Sequence, residues 1–189
     1  MKLIKNIVIL VYISSIFAAC SSDEDPVIIN EEELITTVRA TLIPEGGGTE
    51  VILESVDLDG EVGPNEPIIE VSGTFNPNTM YAGTLKILNE AESPAEDITL
   101  EIMEEDEDHQ FFFSFTNDIA TATYGDEDGN GNPVGVQFNL LTGAADSSGG
   151  FTIILRHEPN KGAADVNTGD ITNAEGSTDV QVTFNIVIE

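Results

Sequence analysis

The chain is 189 residues long and carries 35 aspartates and glutamates against six lysines and arginines, a formal net charge of −29. Affinity for nucleic acid rests on lysines and arginines that neutralise phosphates, so a nucleic-acid partner is excluded, and anionic lipid and sulfated glycan are disfavoured on the same ground. Such a field attracts cations, whether metal ions or basic protein patches, and keeps the protein soluble.

In chain order, Lys2 and Lys5 precede an apolar run, Ile7 to Phe17, which ends in Ala18, Ala19 and the single cysteine, Cys20. A charged start, a short apolar stretch and small residues make a secretory leader. The run is shorter than the roughly 20 residues that span a bilayer. Small residues followed directly by cysteine resemble a bacterial lipobox, although Phe17 stands where leucine is usual. The resemblance implies cleavage after residue 19 and a diacylglycerol on the Cys20 thiol. Next, Ser21, Ser22, Asp23, Glu24 and Asp25 resemble the export tag of Bacteroidota-type lipoproteins, which implies an outer-membrane, cell-surface location. Residues 20–33 read as an acidic lipidated tether, because an acidic segment poor in aromatics does not fold alone. Loss of residues 1–19 would leave four cationic against 35 acidic side chains, a charge of −31. Lipidation would use the only cysteine, so the mature chain would have no disulfide, thiolate ligand or cysteine nucleophile.

From residue 34 to 189 the pattern is period-two alternation broken by turn residues, the signature of strands. LITTVRATLI is followed by the turn PEGGG and by TEVILESVDL; after the loop DGEVGPNEP comes PIIEVSG, whose Pro67 suits a strand start. In FNPNTMYAGTLKIL, the spacing of Phe75, Pro77, Thr79 and Tyr81 resembles the tyrosine-corner segment of fibronectin type III sandwiches. That resemblance implies a structural role for Tyr81, its hydroxyl bonded to backbone a few residues upstream. The second half continues with QFFFSFT, IATATYG, PVGVQFNLLTG, GGFTIILRHE and STDVQVTFNIVIE, with DEDGNGN as a hairpin loop.

One stretch breaks the alternation. Ser93, Pro94 and Glu96 read as an N-cap, a first-turn proline and a capping-box glutamate, with Ile98 and Ile102 four apart. This predicts a short acidic helix near 94–108. Leu100 also fits alternation with the two isoleucines and keeps a strand reading open. The fold expectation is therefore all-β: an Ig/fibronectin-III-like antiparallel β-sandwich, in one or two packed units, with a sub-boundary near 90–110 if there are two.

SPAEDIT, EDHQFFF, RHEPNKGA and GDITN resemble a group of small flavobacterial surface lipoproteins often labelled a type 1 periplasmic-binding fold superfamily. That label names a two-lobed, doubly wound α/β structure, and the strand pattern here speaks against it.

The chemistry concentrates in EEDEDHQFFFSF, residues 104–115. On a helix, Glu101, Glu105 and His109 would lie at i, i+4 and i+8, a spacing that lets carboxylate and imidazole share a divalent ion. The other histidine, His157, follows Phe151, Ile153 and Leu155 on one strand face and adjoins Glu158. If the two strand ends meet, a His₂-carboxylate site suited to zinc follows. Asp126, Asp128 and Asn130 reproduce the opening of a calcium loop, with Gln137 where the bidentate glutamate belongs, and Asp57 and Asp59 form a similar fragment. For both, a turn role through tolerance of left-handed backbone is the favoured reading. No nucleophile elbow, phosphate-binding glycine loop or H-E-x-x-H is present, so the expectation is not an enzyme. The reading is of a non-catalytic surface lipoprotein that binds a cation such as zinc or calcium, with an outer-membrane transporter or another surface protein as partner. The rival is a structural or protein-interaction sandwich without a small ligand.

Overall fold

The structure is a computed structural model that describes residues 34–60 and 63–189. The leader, Cys20 and the Ser21–Asp25 tag lie outside the described residues. Glu32–Glu189 forms one compact unit, so residues 90–110 run through it without dividing it.

Nine strands appear where alternation places them: β1 (Thr37–Pro44), β2 (Val51–Val56), β3 (Ile68–Val71), β4 (Met80–Leu88), β5 (His109–Phe115), β6 (Ala120–Tyr124), β7 (Gln137–Thr142), β8 (Ser147–His157) and β9 (Ser177–Ile188). They build a six-stranded sheet of order β3-β2-β1-β4-β7-β6 and a three-stranded sheet of order β5-β8-β9. Every named pair is antiparallel, so the chain is an all-β sandwich and not a doubly wound parallel structure. The six-and-three division differs from the four-and-three of an immunoglobulin constant domain.

Alternate residues of both sheets fill one core. Val38, Ala40 and Leu42 of β1 face inward with Leu85 and Ile87 of β4, against Phe151, Ile153 and Leu155 of β8 and Phe184 and Ile186 of β9. Phe113 stacks on Phe138 with centroids 4.5 Å apart. Each fully buried large side chain contributes about 1.5–3 kcal/mol. β5 is buried on both faces, which explains its run of phenylalanines: Phe111 enters the main core, while Phe112 packs with Val166 and Ala174 under the 158–176 segment.

The Tyr81 hydroxyl accepts a hydrogen bond from the Asn76 N–H at 2.8 Å, five residues upstream. Phe75 bridges Ile188 of the three-stranded sheet, and its ring meets that of Tyr81 edge-on at 5.1 Å. Residues 75–81 thus carry the chain from one sheet to the other, and Tyr81 pins the crossing.

The helix α1 (Ile98–Glu104) is shorter than expected. Glu96 is held by backbone bonds to Asn89, so the helix starts after Asp97, whose side chain makes no cap bond and pairs with Lys86 instead. The five acids of Glu104–Asp108 oppose the negative end of the helix dipole and favour its early stop. Ile98 and Ile102 are buried and Leu100 is exposed, so the helical period, not the strand period, governs here. Thr99 anchors the helix through bonds between its hydroxyl and the N–H and C=O of Ile87. Among the described residues no helix is long and apolar enough to cross a membrane.

Candidate metal site

The register of β5 and β8 places His109 opposite His157, with Phe111 opposite Leu155 next along the inner face. The two imidazoles therefore end a row of core side chains, and they stack with centroids 4.7 Å apart and an interplanar angle of 29°. A third group comes from β9. Leu155 pairs with Val180 but Arg156 pairs with Thr178, so Asp179 is the extra residue of a β-bulge. Without the bulge, alternation would send Asp179 to the face opposite Val180 and Val182; bulges re-aim side chains in this way. Its Oδ1 lies 3.8 Å from His157 Nδ1 and its Oδ2 lies 4.0 Å from His109 Nε2. The side chains of His109, His157 and Asp179 are 10%, 14% and 9% exposed.

His109 Nδ1 lies 3.0 Å from the carbonyl of Glu105. A carbonyl only accepts, so Nδ1 carries the hydrogen, and in the neutral ring Nε2 presents its lone pair. Asp179 Oδ2 lies 4.0 Å from that nitrogen. A proton or a metal ion between the two atoms would link them. A histidine whose far nitrogen donates to a backbone carbonyl is the usual arrangement behind a metal ligand.

The surrounding chain holds this geometry. Lys161 donates to the Asp106 carbonyl, and the Glu158 N–H donates to the Asp108 carbonyl at 2.7 Å, so the turn carrying Glu105 is fixed from both sides. Arg156 donates to the carbonyls of Glu175 and Gly176 and to the Thr178 hydroxyl, which fixes the approach to the bulge.

Of the expected ligands, His109 and His157 come together. Glu101, Glu105 and Glu158 do not join them; the group with ligand atoms within 4.8 Å of one another is His109, His157 and Asp179, the one such cluster among the described residues. The helix ends before it can align Glu101, Glu105 and His109, and Glu105 serves through its backbone. Glu158 sits exposed in a turn with φ of 50°. Asp179 left no mark in the sequence, because a bulge has no residue signature.

The calcium-loop fragments serve other ends. Asp126 accepts from the N–H groups of Gly135 and Gln137 through its two oxygens. Asp128, which is buried, accepts from the N–H groups of Asn130 and Asn132 and from the Lys161 ammonium at 3.0 Å. That ammonium also donates to the carbonyls of Asp106 and Pro133, so a tethered cation occupies the place expected for an ion. Burial, then a hydrogen bond to the Asp59 carboxyl and the charge of that group, raise the Asp57 carboxyl above its usual range. Asp59 accepts from the Asn65 side chain at 2.8 Å and ties the loop.

No family model, curated protein or solved structure matches this chain.

Proposed function

We propose that this chain is a non-catalytic, lipid-anchored surface protein whose sandwich end captures a divalent transition-metal ion, of which zinc is the best fit, for an outer-membrane transporter or another surface partner. The observation that carries the reading is the convergence of His109, His157 and Asp179, with ligand atoms within 4.8 Å of one another, while His109 Nδ1 is tied to backbone. Two imidazoles and one carboxylate suit zinc, and three protein ligands leave a position open for exchange. Zinc bonds of about 2.0–2.1 Å would draw the three groups closer and tilt the stacked rings until their lone pairs converge.

The test is calorimetric titration of the metal-free protein with zinc, beside H109A/H157A and D179N. Micromolar or tighter binding, lost in the double variant and weakened at least tenfold in D179N, supports the reading. Binding no tighter than millimolar, or binding that the double variant keeps, overturns it. The ring stacking itself favours a second reading, in which the histidine pair only closes the core of an interaction module; that reading expects no zinc-dependent rise in melting temperature.

A further inference from the structure

We propose that the open edge of β9, residues 178–183, is a docking site for an extended polypeptide segment that alternates apolar and basic side chains. The inference does not rest on the metal reading.

Among the described residues the three-stranded sheet ends at β9, while the six-stranded sheet extends to β3. Ile69 of β3 takes the inner face, in register with the buried Ser55, yet it is 44% exposed. Between the two sheet margins lies a cleft of about 590 Å³. All six consecutive residues from Thr178 to Thr183 line it, whichever way their side chains point. A groove along a backbone edge gives that pattern, and a groove over one sheet face does not.

The polar groups of that edge can be assigned. Phe75 N–H donates to the Val187 carbonyl and Glu189 N–H donates to the Phe75 carbonyl, so residues 187 and 189 direct their backbone groups away from β8. In an antiparallel strand alternate residues share an edge. The β8–β9 ladder is regular from Ile188 back to Val180, so Asn185, Thr183 and Gln181 also face away from β8. Backbone donors and acceptors on an unpaired edge recruit a further strand.

Charge selects the strand. The cleft is floored by Val38, Ile69, Val180 and Val182, Glu66 is exposed at its margin, and none of its described lining residues is a lysine or arginine. A second copy of this chain, with its net charge of −29, is repelled. A segment with apolar residues facing the floor and lysines or arginines facing the acidic margin satisfies the edge, the floor and the field together.

The probe is the blocked heptapeptide Lys-Val-Lys-Val-Lys-Val-Lys, with Glu-Val-Glu-Val-Glu-Val-Glu as control, titrated into the protein in the presence of a chelator. Expected are binding of the basic peptide at least tenfold tighter than the control, and slowed amide exchange at Gln181 and Thr183. Q181P removes an edge N–H outside the β8–β9 ladder and should lose binding at least tenfold with an unchanged melting temperature. E66K alters only an exposed side chain and should weaken binding several-fold, which keeps the test decisive if Q181P fails to fold. Absent binding, equal binding of both peptides, or no added protection at Gln181 and Thr183 overturns the proposal. Self-association that Q181P abolishes would assign the edge to a second copy and overturn it equally.

Discussion

Lys161 is buried, and its ammonium has three acceptors: Asp128 Oδ2 at 3.0 Å, the Pro133 carbonyl at 3.1 Å and the Asp106 carbonyl. K161M keeps the length and apolar stem of the side chain and leaves Asp128 buried without its cation. Removing one partner of a buried pair costs about 3–5 kcal/mol, because the remaining charge stays desolvated. For a domain of this size that corresponds to a fall in melting temperature of about 10 °C. Burial opposes ionisation of Asp128, but the Asn132 N–H, the Lys161 ammonium and the Asn130 N–H together outweigh it and hold the carboxyl below its usual range. A carboxyl lowered in the folded state stabilises above its unfolded value, near 3.9, and that stabilisation fades as pH falls through the folded value. In K161M, protonation relieves the stranded carboxylate, so the gap between the two proteins should be widest at neutral pH and narrow toward pH 4. K161M/D128N should recover part of the loss. Urea unfolding of the four proteins at pH 7 and pH 4 gives the complete cycle. A loss below about 1 kcal/mol at pH 7, or a gap that does not change with pH, would refute the assignment of Lys161 as the cation of this loop. Because Lys161 also fixes the turn that aims His109, K161M should loosen zinc about tenfold, the usual scale for outer-shell partners.

Y81F removes the acceptor of the Asn76 N–H and should destabilise by about 1–2 kcal/mol in urea unfolding with an unchanged slope. A neutral result would mean that the crossing at residues 75–81 is held by the Phe75 bridge alone. Gly83 lies opposite Phe138 in the β4–β7 ladder, and a methyl there would press into the Phe138 ring, on which Phe113 stacks. G83A should therefore cost about 1–3 kcal/mol by overpacking, read in the same assay.

The strands were legible because half-buried antiparallel strands write their burial as alternation, as β1, β4, β8 and β9 do almost without interruption, while β5, buried on both faces, showed as an apolar run. Strand order was not legible, since alternation fixes which face a residue takes and not which strand lies beside it. The helix type followed from Ile98 and Ile102, but its start did not. The Ser-Pro-x-Glu pattern matched a capping box in composition, while the backbone of Glu96 had already been taken by Asn89. At the candidate site, each histidine could be placed at the end of an apolar strand row, so their meeting followed from β5 pairing with β8. Asp179 could not be found that way. Its parity along β9 assigns it to the outside, and only the bulge at Leu155/Arg156 brings it to the imidazoles.

If the histidine group holds zinc as proposed, the acidic surface and that group play different roles, and salt separates them. The four described cationic side chains are all committed internally: Arg39 to Glu54, Lys86 to Asp97, Lys161 to Asp128, and Arg156 to backbone carbonyls before β9. The exposed carboxylates among the described residues outnumber these cations, and their field raises the local concentration of any cation without choosing among them. Choice falls to the buried donors, since two imidazoles favour a borderline metal over calcium or magnesium, which prefer oxygen. Exposed charges are screened beyond about 8 Å at 0.15 M salt, while buried ligands are screened far less. Raising salt should therefore slow zinc association several-fold and leave dissociation nearly unchanged, as followed by stopped-flow mixing with a zinc-responsive dye. An equal effect of salt on dissociation would mean that exposed carboxylates hold the ion, and the His109–His157–Asp179 group would lose its claim to it.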